Sequence, residues 1–179
     1  TVDYVEVAYA NDDSFEWFGG TVNCSHLIAY KGLDDDFDTD NGFAGKVQFG
    51  IGVRDAAIAD VSGSNAFESD NDANGSALTP QTSAVFSNMT IIGPIVSTSS
   101  TTNASGINTL FQNALQIRRN SALSVFNSVF IGYPVGLFID ASKGTPTDNN
   151  IASGKLVFQN NILAGVTTNF KYAVSATSP

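Results

Sequence analysis

An internal repeat is the feature that most restricts how this chain can fold. The segment that starts at Val5 aligns with the segment that starts at Leu27, at an offset of 22 residues. The alignment matches like with like: Asp12 with Asp34, Asp13 with Asp35, Phe15 with Phe37, Glu16 with Asp38 and Gly20 with Gly42. A third copy places Phe67 and Glu68 at the same positions 30 residues further on, with the extra length in a loop around residues 55–64. Because one copy is too small to bury an apolar face alone, such a repeat predicts copies stacked into a solenoid.

A second motif recurs in the later part of the chain and indicates strands. The motif is eight residues long, with apolar residues at its first and sixth positions, Asn at its third and Gly at its eighth. The motif occurs around Asn88, Asn127 and Asn160. These segments are short, alternate in polarity and are separated by Gly, Asn, Asp and Ser, as strands and turns are. Residues 107–116 are the only candidate for a helix, and we expect them to lead into a strand.

Together the repeats predict an all-β chain, a coiled parallel β-solenoid with about 22 residues per rung and a single domain over residues 1–179. Two or three short strands per rung would pair with the equivalent strands of neighbouring rungs, about 4.8 Å away. Three polar stretches, residues 62–83, 97–105 and 141–153, are expected to leave the coil as long loops. A β-sandwich is the alternative fold, but a sandwich does not require motif positions to recur at one offset.

The register of the repeat predicts which side chains stack. One interior column contains Phe15, Phe37, Phe67, Leu115 and Leu137. The Asn of the second motif is expected to form a ladder in which each amide bonds to the next rung, with His26 and Gln48 at the equivalent position of earlier rungs. A single cysteine, Cys24, excludes an internal disulfide.

Charge is concentrated in the first part of the chain. Residues 1–72 carry 15 acidic and three basic side chains, residues 73–179 carry two acidic and five basic ones, and the net charge is −9. This balance argues against a nucleic-acid partner, because phosphate binding needs a basic surface. No apolar run approaches the roughly 20 residues of a membrane-spanning helix, so no transmembrane segment is expected.

The same register gathers carboxylates into columns. One column reads Glu16, Asp38, Glu68, Gln116 and Phe138; the next reads Phe18, Asp40, Asp70, Arg118 and Asp140; a third begins with Asp13, Asp35 and Asn65. Carboxylates stacked at strand spacing repel one another unless something compensates their charge.

Several interpretations of these columns remain open. A bound Ca²⁺ ion would be held by carboxylates of adjacent rungs, and the candidate ligands are Asp35, Asp38, Asp40, Glu68 and Asp70. Alternatively, Arg118 balances the charge, or the acids form a solvated face with capped turns. Partial protonation of the acids, or another metal, is the remaining alternative. An EF-hand is excluded, because the Asp-rich run lacks the required Gly and Glu positions.

Several long strings of this chain resemble a known group of proteins. They are NDDSFEWFGGTVN, GLDDDFDTDNGFAGKVQFG, ADVSGSNAFESDNDANGS, SAVFSNMTIIGP and IRRNSALSVFNSVFIGYPVGLFID. The group consists of uncharacterised bacterial surface proteins, secreted or lipid-anchored, of the right-handed parallel β-helix, pectin-lyase-like class. The resemblance implies that fold, a secreted or cell-surface location, and a chain that is the C-terminal part of a longer solenoid. Further N-terminal rungs or another chain would then cover the open end. No family catalytic residues are carried over.

For function, we expect a surface module that binds carbohydrate or serves a structural role, rather than an enzyme. Trp17 and Tyr30 are the candidate residues for contact with a glycan. The alternative is a polysaccharide lyase or glycoside hydrolase acting on an extracellular glycan, in which a basic residue works beside a calcium-bound uronate. Arg118, Asp70 and Asp140 are the candidates for such catalysis, although a salt ladder across rungs is the far commoner role for such an arginine.

Overall fold

The structure is a computed structural model that describes residues 1–95 and 106–174. The polar stretch at residues 97–105 therefore lies outside the described residues. The described residues form two sheets in which every strand pair is parallel. One sheet contains the strands β1 (Val2–Ala8), β3 (Cys24–Tyr30), β5 (Lys46–Gln48), β6 (Ile51–Val53), β8 (Val85–Ser87), β9 (Thr90–Ile92), β11 (Ser124–Phe126), β12 (Val129–Ile131), β14 (Phe158–Gln159) and β15 (Ile162–Ala164). The other contains β2 (Phe15–Phe18), β4 (Phe37–Asp40), β7 (Phe67–Ser69), β10 (Asn113–Arg118), β13 (Val135–Ala141) and β16 (Thr168–Val174).

The strands follow one another as successive turns of a coil. Each turn contributes one strand to the six-stranded sheet, whose order β2-β4-β7-β10-β13-β16 is the order of the sequence. The same turn contributes one or two strands to the ten-stranded sheet, where each pairs with its counterpart one rung away. This arrangement is a parallel β-helix, and it confirms the predicted fold class. No helix among the described residues is long and apolar enough to cross a membrane.

The predicted interior column is confirmed residue by residue. Phe15 pairs with Phe37, Phe37 with Phe67, Phe67 with Leu115, and Leu115 with Leu137. The rings of Phe15 and Phe37 stack with their centroids 5.5 Å apart, and Phe37, Phe67 and Leu115 have no exposed surface. Since no rung can bury these side chains alone, the stack is the main apolar contact between rungs.

The predicted Asn ladder is present only in part. The side-chain amide of Gln48 donates to Oδ1 of Asn88 at 2.9 Å. Asn88, Asn127 and Asn160 share one column, but their side chains are exposed. Their backbones have positive φ angles of 58°, 53° and 59°. Asn is among the few side chains that enter this left-handed region readily, so the recurring Asn selects for a turn conformation.

The earlier members of this turn column are aromatic. His26 occupies the position predicted for it, with a φ of 52°. Gln48 does not occupy this column, because it pairs with Ser87. The next residue, Phe49, occupies the column instead, with a φ of 61°. The ring of His26 stacks on Phe49 with centroids 5.3 Å apart. The predicted position of this column in the rung of Gln48 is therefore wrong by one residue.

A ladder of side chains does exist, in the column before the six-stranded sheet. The carboxylate of Asp13 accepts a hydrogen bond from the backbone N–H of Asp35 at 2.8 Å, and that of Asp35 accepts one from the N–H of Asn65 at 2.5 Å. The amide oxygen of Asn65 accepts bonds from the N–H and the side-chain amide of Asn113, at 3.1 and 2.7 Å. In each case a side-chain oxygen of one rung accepts a hydrogen bond from a backbone N–H of the next rung, just before the strand begins.

The loop predicted around residues 55–64 leaves the coil at Arg54, whose guanidinium is fully buried and donates to Asp36 at 2.8 Å. The prediction that residues 62–83 form one long loop is wrong, because Phe67–Ser69 form strand β7 within the six-stranded sheet. The later insertion contains α1 (Asp148–Ala152), which has only five residues. A helix of that length produces no periodic pattern in the sequence, so sequence reasoning did not find it.

We predict that Asn65→Ala lowers the free energy of unfolding by about 1–3 kcal/mol, because buried partners at Asp35 and Asn113 lose their hydrogen bonds. Asn127→Ala should cost about 1 kcal/mol through its left-handed backbone, and Asn127→Gly should cost less, because Gly adopts that conformation freely. Urea unfolding of the three variants checks this. A loss for Asn127→Gly equal to that for Asn127→Ala would show that the amide of Asn127 matters after all.

Candidate functional site: an acidic cleft

Outward-facing side chains of the six-stranded sheet form a cleft of about 180 Å³, which we call the acidic cleft. Strands β4, β7 and β10 supply its floor, and the loop at residues 54–66 supplies one wall. It is lined by Asp13, Asp34, Asp35, Asp38, Ser62, Gly63, Glu68, Gln112, Gln116 and Arg118. The loop is held over the acids because the hydroxyl of Ser62 donates to Asp34 at 3.0 Å.

The acids meet here because the rungs are in register. Asp38 pairs with Glu16 on one side and with Glu68 on the other. One carboxylate oxygen from each of Asp13, Glu16 and Asp38 lies within 4.8 Å of the other two, and Asp12, Asp13 and Asp34 form a second such group. Asp13 belongs to both groups and therefore connects them.

Burial and crowding raise the pKa of these carboxyl groups. Burial, reinforced by the charges of Glu68 and Asp13, raises the pKa of Asp38 to about 9. Burial also raises the pKa of Asp13 to about 7, against the hydrogen bond from the N–H of Asp35. Burial raises the pKa of Glu68 to about 7 even though Arg118 lowers it. At neutral pH the cluster therefore holds protons unless a cation replaces them.

Arg118 neutralises only one side of the cleft. Its Nε donates to Asp70 at 2.8 Å and its Nη2 contacts Glu68. Arg119 makes a second ion pair with Asp70. Asp70 is thus doubly compensated, whereas neither arginine pairs with Asp38, whose Oδ1 is buried without a hydrogen-bond partner among the described residues.

The structure brings together part of the predicted metal set. Asp35, Asp38 and Glu68 line the acidic cleft. Asp70 lies beside Glu68 but is held by the two arginines. Asp40 belongs to the column of Asp70 and does not line the cleft.

The groups with closely spaced oxygens instead include four acids that were not predicted as ligands, Asp12, Asp13, Glu16 and Asp34. All four had been aligned by the 22-residue offset. What the alignment could not show is that Asp13, at the rung entrance, reaches into the column of Asp38.

The predicted catalytic residues are only partly assembled. Arg118 and Asp70 are in direct contact. Asp140 pairs with Arg118 in the register of β10 and β13 but does not line the acidic cleft, and its carboxylate accepts from the N–H of Ser142 at 2.8 Å.

The predicted glycan-binding aromatic residues lie elsewhere. The ring of Trp17 is half-buried and stacks on Phe43 with centroids 5.1 Å apart. Tyr30 packs edge-on against Tyr9 at 5.7 Å. Neither lines the acidic cleft, so their contact with a glycan stays a prediction.

We predict that Arg118→Ala lowers the free energy of unfolding by about 1–3 kcal/mol, because Glu68 is left without its partner and Asp70 loses one of two. Lys46→Ala, which removes an equal charge from an exposed position on the other sheet, serves as the control and should change stability by less than about 0.5 kcal/mol. Equal losses in chemical unfolding would mean that net charge, and not the pairing, is responsible.

We also predict that stability in the presence of chelator falls as the pH rises from about 5 to 9. The pKa values of Asp13, Asp38 and Glu68 are raised in the folded state. Their protonated forms therefore favour folding at low pH, and this contribution is lost as the pH passes through 7 to 9. Melting temperatures measured across this range test the prediction, and Asp38→Asn should flatten the alkaline part. A melting temperature that rises from pH 5 to pH 9 would contradict it.

Comparison with known proteins identifies a family. Against models of protein families, residues 1–178 match the family described as "Pectate-lyase like beta helix domain". Searches of curated proteins and of solved structures gave no significant match. The match covers nearly the whole chain, and its description agrees with the stacked parallel rungs of the structure. The chain therefore belongs to the pectate-lyase-like β-helix domain family.

Proposed function

We propose that this chain is a carbohydrate-binding module of a secreted or cell-surface β-helix protein, and that a calcium ion at the edge of the acidic cleft, between Asp13, Asp38 and the neighbouring Glu16, takes part in binding. The observation that carries the proposal is the group formed by Asp13, Glu16 and Asp38, whose oxygens lie within 4.8 Å of one another. No arginine or lysine ion pair reaches any of the three among the described residues.

The donor set fits calcium. Ca²⁺ binds carboxylate oxygens at about 2.3–2.6 Å, so two oxygens on one ion are separated by up to about 5 Å. The oxygens of Asp13, Glu16 and Asp38 meet this limit. Asp38 contributes a buried oxygen without a partner, whereas Glu16 is exposed, so the group can be reached from solvent. When bound, the ion would supply positive charge and open coordination positions for oxygen atoms of a ligand.

The remaining lining suits a sugar. Gln112, Gln116 and Ser62 offer amide and hydroxyl groups that can donate to and accept from sugar hydroxyls. An acidic glycan would need the calcium ion to offset the repulsion between its carboxylates and those of the cleft. Binding of an acidic glycan should therefore depend strictly on calcium.

Glycoside hydrolysis is the second candidate function, and one observation favours it. Asp38 and Glu68 are directly paired neighbours, with pKa values raised to about 9 and about 7. Hydrolysis of a glycosidic bond uses two carboxyl groups, of which one must keep its proton at the working pH.

A lyase mechanism with Arg118 as the base has less support. Although desolvation lowers the pKa of Arg118, the hydrogen bond to Asp70 and the charge of Glu68 outweigh it and raise that pKa overall. A guanidinium held by two carboxylates keeps its proton, and the Nε and Nη2 donors of Arg118 are already engaged.

We predict that millimolar calcium raises the melting temperature at pH 8 and that chelator reverses the rise. A ligand at 100 times its dissociation constant stabilises the folded state by about 2.7 kcal/mol. Glu16→Gln combined with Asp38→Asn should abolish the response. Glu6→Gln, which removes an exposed carboxylate on the other sheet, should retain it. If calcium does not change the melting temperature of the unchanged protein, the proposed metal site is wrong.

The glycan is tested in the same samples by calorimetry with polygalacturonate, with neutral dextran as the control polymer. We expect heat of binding when polygalacturonate is titrated into the calcium-saturated protein, and none when it is titrated into the calcium-free protein or when dextran is titrated into the calcium-saturated protein. Binding without the release of new reducing ends or unsaturated products supports the binding module. Release of reducing ends that is lost in Glu68→Gln would establish hydrolysis instead.

A further inference from the structure

The outer face of one part of the ten-stranded sheet is apolar. Strands β3, β6, β9, β12 and β15 pair in register, and alternate side chains such as Ala29, Ile91 and Phe130 are buried in the interior. The side chains between them point outward in two columns, none of whose members is charged. We call these two columns the apolar strip: Ile28, Ile51, Thr90, Val129 and Ile162, and beside them Tyr30, Val53, Ile92, Ile131 and Ala164.

The apolar strip is open to solvent. Its most exposed isoleucines are Ile51, Ile92, Ile131 and Ile162, at 41 %, 42 %, 36 % and 57 %. The first three belong to strands that are paired on both sides, so their exposure does not arise at an open strand edge. Scattered apolar side chains are ordinary on a protein surface, but a contiguous run across five rungs indicates a binding surface.

Polar groups border the apolar strip along one side. Asn88, Asn127 and Asn160 each stand two positions before the first strip residue of their rung, and their side chains are exposed. These amides recur about every 4.8 Å along the axis, and each can both donate and accept hydrogen bonds. In two earlier rungs the border position holds His26 and Phe49, which line a groove of about 360 Å³ together with the strip. An apolar floor with a few polar groups at its edge is typical of a ligand site.

The dimensions and charge of the apolar strip select its ligand. Its columns are about 19 Å long and about 7 Å apart, which follows from the spacing of strands and of residues along them. It therefore offers a few hundred Å² at most, whereas a stable protein interface needs about 800 Å² on each partner. Because the strip is uncharged and the chain has a net charge of −9, an acidic glycan has no counter-charge here. A narrow, uncharged sugar chain fits, since C–H groups cover its ring faces and hydroxyl groups line its edges.

We infer that the apolar strip binds an extended, uncharged β-1,4-linked polysaccharide that lies along the axis of the coil. Its ring faces pack on Ile51, Ile92 and Ile131, and its hydroxyl groups bond to the amides of the border. Tyr30, which the sequence predicted as a glycan contact, lies in the strip. The acidic cleft is on the other sheet, so this second sugar-binding surface needs no calcium.

Calorimetry with three hexasaccharides tests the ligand. The probes are β-1,4-linked chains of glucose, mannose and N-acetylglucosamine, and we expect at least one to bind in the presence of chelator. Dextran should not bind, because its α-1,6 links leave no extended flat face. Glu16→Gln combined with Asp38→Asn should retain the binding, so failure of the proposed calcium site leaves this result unchanged. If none of the three hexasaccharides binds, the inference is wrong.

Variants test the surface. Ile131→Glu should weaken hexasaccharide binding by about tenfold or more, because an apolar ring face would shield the new charge from water. Leu78→Glu makes the same change at a loop residue that is 71 % exposed, and it should leave binding nearly unchanged. Asn127→Gly keeps the left-handed turn but removes the amide, and it should weaken binding severalfold. Melting curves establish that each variant is folded.

Two outcomes of this series would contradict the inference. One is equal binding by Ile131→Glu and Leu78→Glu or, if Ile131→Glu does not fold, undiminished binding by Asn127→Gly. The other is a dimer that sedimentation velocity detects for the unchanged chain and that Ile131→Glu abolishes, because a second copy would then occupy the apolar strip.

Discussion

Successive rungs pair in parallel, so that each side chain lies beside its counterpart about 4.8 Å along the axis. The pairs Phe15–Phe37 and Phe37–Phe67 turn this register into a continuous apolar stack. The same register places Glu16 beside Asp38 and Asp38 beside Glu68, at a spacing where like charges raise one another's pKa. The interior and the acidic cleft therefore depend on one constraint. What stabilises the coil through apolar columns also forces acids together on its outer face.

The charge of the acidic columns is balanced unevenly. Arg118 and Arg119 compensate Asp70, and Arg118 also reaches Glu68. Among the described residues Asp13 and Asp38 have no such partner, and burial raises their pKa values to about 7 and about 9, so that Asp38 favours its protonated form at neutral pH. A proton and a calcium ion are alternative ways to neutralise the same oxygens. Binding of the proposed calcium ion would therefore release protons, and it should tighten as the pH rises.

The buried Arg54–Asp36 pair links the interior to the wall of the cleft. Both side chains are fully buried, and burial raises the pKa of Asp36 to about 6 despite its arginine partner. One oxygen of Asp36 and the Nε of Arg54 have no hydrogen-bond partner among the described residues. An incompletely bonded buried pair contributes little net stability. The pair instead holds the loop in position, because it fixes the residue at which the loop carrying Ser62 leaves the coil.

The sequence by itself determined the coil, the interior column and the order of the carboxylate columns, because the 22-residue offset between Phe15 and Phe37 defines a motif that can be recognised again at Phe67 despite the longer spacing. It did not determine which polar column carries the ladder. Asn127 looked like a ladder residue but is exposed in a left-handed turn, and Asn65 makes the bonds instead. A recurring Asn is consistent with either role, and only the backbone conformation separates them.

Tertiary structure alone decided the composition of the cleft. The third rung is longer than the 22-residue repeat, and no pattern in the sequence shows that its loop folds back until Ser62 contacts Asp34. Nor does the offset show that Asp13, in one column, approaches Asp38 in another closely enough to share a cation. A repeat in the sequence determines which residues share a column. Distances between columns depend on how the coil bends, and that is set by packing in three dimensions.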